Sequence, residues 1–194
     1  MTRSVVCVAL AIAAVSGCRR TEPAPQPGEA DRPPFGGDFT LTDQDNKPFR
    51  LQDLRGRPAL LFFGYTSCPD MCPVTMSRIV AALRLVGAPA RDVPTLFVSV
   101  DPKRDTPAVL KEYVASFSAP VIGLTGTDEE IGRVASAYHA AYEIVPTGTK
   151  NYLVNHTSAI FVIDRGGRLY RYFKYDEKPE TLAAALRAVL REGP

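Results

Sequence analysis

From residue 38 onward, short unbroken apolar runs take turns with amphipathic ones. Residues 58–65, PALLFFGY, are apolar throughout and bounded by proline, the pattern of a strand buried on both faces. Residues 94–101, PTLFVSVD, repeat it. Between them, VTMSRIVAALRLVG sets Met76, Ile79, Val80, Leu83 and Val86 at helical spacing, with Gly87 as the stop. Upstream, residues 38–54 alternate apolar and polar positions around Asp45-Asn46, which predicts a hairpin. Downstream, TPAVLKEYVASF predicts a helix with Thr106 as N-cap and Pro107 at its first position. VIGLTG is a short strand, and TDEEIGRVASAYHAAY opens a helix with Thr127 and a first turn of acids. TSAIFVID (157–164) and RLYRYF (168–173) flank Arg165-Gly166-Gly167, a tight hairpin turn, and PETLAAALRAVLREG closes the chain as an amphipathic helix.

Two buried strands joined through a helix, then an antiparallel pair and a closing helix, make an α/β domain on the thioredoxin-like plan. The leading hairpin is an addition to that plan, and one of the middle helices an insertion. The domain is expected over residues 38–194, without internal repeats.

The first 37 residues follow another logic. Arg3 precedes the apolar stretch SVVCVALAIAAVSG, which is too short to span a bilayer as a helix and reads as a leader over residues 1–17. It ends in VSGC, which resembles a bacterial lipobox; Cys18 would then carry lipid. Residues 18–37 are polar and proline-rich, the composition of an extended tether. The expected location is the bacterial cell envelope, with a lipid-anchored domain outside the cytoplasm, on the periplasmic side. A formal net charge of +2 with no long basic run excludes a nucleic-acid partner.

Cys7 leaves with the leader and Cys18 is the anchor, so Cys68 and Cys72 are the thiols of the folded domain. They are a redox pair, two metal ligands, or core packing. Each precedes a proline, which pushes it away from helical dihedrals. The pair therefore lies in a loop, and the helix starts between Met71 and Pro73. Cys72 sits near that helix N-terminus, where the dipole favours thiolate. Asp70 is placed to cap the helix or to neighbour the site, and Met71 to pack. Thioredoxin-type oxidoreductases separate their cysteines by two residues; here three intervene. The wider loop can grip a soft ion such as Cu(I), or zinc, with both sulfurs. Two sulfurs do not complete a site, and the chain has two histidines. His139, amid alanines at a helix end, reads as a packing residue. His156, just before the strand of the last hairpin, faces the cysteine loop in this layout and reads as the third ligand. Asp101, after the second buried strand, can approach the cysteine loop from the side, but DPKRDTP reads more simply as turn and capping chemistry. A peroxidase reading wants threonine three positions before its cysteine, and Thr66 is two before Cys68.

FFGYTSCPDMCPVT, FVSVDPKRDTP and VNHTSAIFVID together resemble the SCO/SenC family of copper-binding proteins for cytochrome c oxidase assembly. The resemblance implies a thioredoxin-like fold, a membrane anchor, and copper held by Cys68, Cys72 and His156. It implies delivery of that copper to the CuA site of oxidase subunit II, with a copper donor and a thiol reductant as further partners. It also carries an alternative, a thiol–disulfide oxidoreductase that keeps the CuA cysteines reduced, with Cys68 and Cys72 as its redox-active disulfide; otherwise no enzyme activity is implied. One departure is Asn155, where the family usually has aspartate before the histidine. Losing that charge near the metal bears on affinity and on the balance of Cu(I) against Cu(II).

Overall fold

The computed structural model describes residues 32–148 and 151–192. A hairpin comes first, β1 (Thr40–Asp43) and β2 (Pro48–Arg50). In its turn Asn46 takes φ 59°, and the Asp43 carboxylate accepts the backbone N–H groups of Asp45 and Lys47 at 2.9 and 2.8 Å. β3 (Ala59–Gly64), buried at every position, leads through the cysteine loop into α1 (Met71–Val86). β4 (Thr95–Ser99), equally buried, is followed by α2 (Pro107–Ala115), whose N-cap is Thr106. β5 (Val121–Thr125) precedes α3 (Asp128–Ala137), where Thr127 and Glu130 cap each other's backbone N–H reciprocally. A second hairpin, β6 (Tyr142–Pro146) and β7 (Tyr152–His156), leads to β8 (Ala159–Ile163), β9 (Leu169–Lys174) and α4 (Pro179–Arg191).

Seven strands form one sheet in the order β2-β1-β5-β4-β3-β8-β9, while β6 and β7 pair apart from it. β3, β4 and β5 run parallel; β1 and β8 flank them antiparallel, and the outer strands β2 and β9 pair antiparallel with β1 and β8. This is the expected thioredoxin-like α/β architecture with its leading hairpin. Alternation along β3 sends Phe62 towards Phe97 and Phe63 towards Tyr138 and Phe161, so the strand supplies core on both faces. Because β3 and β4 are parallel, their carboxyl ends, at Gly64 and Ser99, open side by side at one end of the sheet.

The insertion exceeds the single expected helix: it comprises β5, α3 and the β6–β7 hairpin. The sequence pattern assigns no element to residues 143–156, because their apolar positions face in both directions on a small ribbon and show no clear alternation of burial. The packed body also starts before residue 38. Arg32 pairs with Asp164 and Glu192, Gly36 N–H donates to the Ala137 carbonyl at 2.6 Å, and the Tyr138 hydroxyl donates to Gly37 O at 3.1 Å. Phe35 stacks on His139 at 4.2 Å, which gives that exposed histidine, at φ 52°, a packing role. The leader, Cys18 and the tether up to residue 31 lie outside the described residues. Among the described residues no helix is long and apolar enough to cross a membrane.

Candidate metal centre

The cysteine loop leaves the carboxyl end of β3, where a rigid sheet holds it in place. Cys68 N–H donates to the Tyr65 carbonyl at 3.2 Å, closing a turn that brings Cys68 back over the start of α1. Asp70 occupies the N-cap position, but its exposed carboxylate makes no capping bond. The Cys68 sulfur does that work: it accepts the backbone N–H of Cys72 at 3.4 Å. Pro73 is accommodated because the first turn of a helix has no intrahelical use for its missing N–H. Cys72 is fully buried and packs above Gly64, where a Cβ would stand 2.9 Å from its sulfur. Only glycine in the last position of β3 leaves room for that thiol.

The third donor comes from the far end of the chain. His156 ends β7, half-buried, with its ring edge-on to Phe62 and Tyr65 at centroid distances of 6.0 and 5.9 Å. Its Nδ1 lies 3.2 Å from the Thr157 carbonyl, which can only accept, so Nδ1 carries the proton. Nε2 is left with its lone pair aimed at the Cys72 sulfur, 3.4 Å away. One ligand atom from each of Cys68, Cys72 and His156 lies within 4.8 Å of the others.

Two buried carboxylates in the β4–α2 connection hold the halves of this arrangement together. Asp105, fully buried, accepts the Thr66 N–H at 2.8 Å, the Thr66 hydroxyl at 2.6 Å and the Ser99 hydroxyl at 2.6 Å. It thereby fastens the cysteine loop to β4, and it occupies the hydroxyl that a peroxidase would need. Asp101 reaches the histidine hairpin instead: the Tyr152 hydroxyl donates to it at 2.8 Å, and Arg104 pairs with it. Arg104 in turn donates to the Tyr152 carbonyl at 3.0 Å and lies 3.8 Å over the Tyr152 ring. Asp101 therefore acts on the site through β7 rather than from the side of the cysteine loop. Sequence reasoning assigned Asp105 and Arg104 no more than turn chemistry. The available signal was the pair of acids in DPKRD beside a buried strand, since a buried carboxylate must find donors. Asn155 is exposed, and strand alternation turns it to the opposite face of the hairpin from His156.

Electrostatics favour the neutral donors. Burial pushes the Cys72 thiol well above its ordinary value, the reverse of the thiolate expected at a helix N-terminus. Loss of solvent costs this fully enclosed sulfur more than the helix dipole returns. Burial also holds the His156 imidazole below its usual range, so the ring is neutral near pH 7 and its Nε2 is free to bind a metal. With Nε2 as the acceptor, the Cys72 thiol is placed to donate to that lone pair. A soft cation would take the proton's place, with two sulfurs and one nitrogen around it. Among the described residues no carboxylate joins the three, so a zinc ion would lack its usual fourth protein ligand, whereas Cu(I) is content with three.

Comparison with known proteins identifies the family. Residues 27–191 match the family model described as SCO1/SenC. Protein SenC of Rhodobacter capsulatus is 37% identical over 156 residues, covering 80% of this chain and 71% of that protein. The structure resembles Bradyrhizobium japonicum ScoI with copper bound, at TM-score 0.73 and 42% identity over 80% of this chain and 99% of that one. Yeast Sco1 with copper bound aligns at TM-score 0.75 and 29% identity, covering 84% and 92% of the two chains. The chain belongs to the SCO1/SenC family.

Proposed function

We propose that this protein is an envelope-anchored copper metallochaperone that holds Cu(I) on Cys68, Cys72 and His156 and passes it to the CuA site of cytochrome c oxidase subunit II. The observation that carries the reading is the approach of His156 Nε2 to the Cys72 sulfur at 3.4 Å, with Cys68 completing a cluster 4.8 Å across. Copper-bound relatives and the description of the Sco family as cytochrome c oxidase assembly proteins support it. The lipid anchor at Cys18 and the periplasmic side rest on the lipobox-like leader.

Exposure assigns the ligands different parts in transfer. Cys68 is half-exposed, while Cys72 is enclosed. An incoming thiolate of the acceptor attacks the metal from the Cys68 side, Cys68 leaves as the new bond forms, and Cys72 and His156 follow. Copper is then passed from ligand to ligand and never released as a free ion. Loading needs a copper donor, and a reductant that keeps both thiols reduced, because a disulfide offers Cu(I) no thiolate.

The proximity of two free thiols also fits the second reading, a thiol–disulfide oxidoreductase acting on the CuA cysteines. The two are separated by His156→Ala. A chaperone loses Cu(I) affinity and copper transfer to a metal-free CuA domain, and X-ray absorption of the loaded variant loses its nitrogen neighbour. A reductase keeps its reaction with a CuA-domain disulfide. Wild-type Cu(I) affinity in His156→Ala, measured by competition titration, would remove His156 from the ligand set and the chaperone reading with it.

A further inference from the structure

The end of the domain opposite the metal centre has its own chemistry. There α1 and α4 finish, β3 and β4 begin, and the β8–β9 turn closes. Arg55, Arg57, Arg84, Arg91, Arg187 and Arg191 all lie at this end and all are exposed. Arg84 donates to the Ser118 hydroxyl at 2.6 Å and Arg187 to the Leu85 carbonyl, partners that orient a guanidinium without neutralising it. Arg57, Arg91 and Arg191 form no ion pair among the described residues. The acids nearby are mostly taken: Asp164 and Glu192 by Arg32, Asp38 by Arg55. Asp92 remains. Between Arg84 and Arg91 lies a shallow apolar recess lined by Val80, Leu83, Ala90 and Pro120, and Leu85 beside it is 45% exposed. At the metal-centre end the exposed groups include the acids Asp70, Glu143 and Asp176.

We propose that this arginine-rich end is a docking face for anionic lipid headgroups, so that the anchored protein sits with Cys68, Cys72 and His156 turned away from the bilayer. Guanidinium groups around an apolar recess suit a surface that presents phosphates over glycerol and acyl carbons. The chain itself enters the domain here, since Arg32 is held against Asp164 and Glu192 at the same end. The inference rests on the lipid-anchor part of the functional reading and is independent of the copper part. An anchor holds the face within reach of the membrane, so weak headgroup contacts suffice to set orientation.

The test uses the chain from residue 18 with Cys18→Ser, Arg19→Gln and Arg20→Gln, which removes the lipid and the tether's paired arginines and leaves the folded surface as the basic face. It is sedimented with phosphatidylcholine vesicles with and without phosphatidylglycerol, at low and high salt. The expected result is binding only with phosphatidylglycerol, reversed by salt. Arg57→Gln and Arg91→Gln should each weaken that binding about fivefold. Lys103→Gln and Lys174→Gln, at the metal-centre end, should leave it unchanged. Equal binding to phosphatidylcholine, no loss in the arginine variants, or an equal loss in the lysine variants would each overturn the proposal. Cu(I) affinity measured on the same samples should not move. Absence of Cu(I) binding in the parent chain would count against the copper reading and not against the lipid face.

Discussion

Gly64→Ala tests how tightly the end of β3 sets the position of Cys72. The added Cβ would stand 2.9 Å from the Cys72 sulfur and 2.9 Å from ring carbons of both Phe62 and Phe97. Restoring ordinary contact, about 3.5–4.0 Å, requires the sulfur or the rings to retreat by roughly 0.6–1 Å. All three side chains are fully buried, so none can swing into solvent. Overpacking of this kind costs about 1–3 kcal/mol. For a domain of this size that lowers Tm by about 2–4 °C per kcal/mol. The metal centre is less forgiving, because metal–ligand distances tolerate only about 0.2 Å. Cu(I) affinity should therefore fall at least about tenfold, or ~1.4 kcal/mol. Gly123→Ala is the matched control: its Cβ would meet Leu110 Cβ at 3.0 Å and Val114 Cγ1 at 3.1 Å, on β5 and away from the sulfurs. Both variants should melt lower, and only Gly64→Ala should lose copper to a chromophoric chelator in competition. Wild-type copper affinity in Gly64→Ala, or an equal loss in Gly123→Ala, would show that β3 does not fix the sulfur.

Two further outcomes follow from the same geometry. Arg104→Ala removes the guanidinium that binds the Tyr152 carbonyl and ring, freeing the hairpin that ends in His156. Cu(I) affinity should fall by up to about 1.5–3 kcal/mol, the range of a hydrogen bond to a charged group. In a double-mutant cycle that cost should vanish once His156 is alanine; a cost that persists there would make Arg104 a general stabiliser of the fold. Cu(I) affinity should also rise with pH through neutrality, about tenfold per pH unit for each proton displaced, because burial keeps Cys72 protonated in the metal-free state. Since the folded His156 pKa is lowered, its ring stays neutral at and above the ordinary 6.5, and proton competition there begins only on further acidification. Competition titrations across pH should show the slope steepening only in acid, and His156→Ala should lose that steepening. A pH-independent affinity would mean the buried thiol is already ionised.

What the sequence disclosed, and what it hid, divides along the distance between interacting residues. The buried strands, the caps at Thr106 and Thr127, and the glycine turns are local patterns, and each appears where its residues predict. The three donors were legible too, because Cys68 and Cys72 share one loop and the strand order places His156 opposite them. The β6–β7 hairpin was not: its ribbon is stabilised by contacts to Tyr65, Arg104 and Asp101, many residues away, and carries little burial signal of its own. The state of Cys72 was misjudged for the same reason, since the helix terminus is visible in sequence while the roof made by Gly64, Phe62 and Phe97 is not. On the proposed chaperone reading, these hidden contacts bear on how the centre would both hold a cargo and give it up. Cys72 is locked into the core and Cys68 rides on an exposed loop. His156 hangs on a small ribbon held by one tyrosine, one arginine and one aspartate. A site built wholly from the rigid sheet would bind more tightly and release more slowly. Here Cys68, on its exposed loop, would yield first to an acceptor's ligand, and the small ribbon would let His156 follow without disturbing the core.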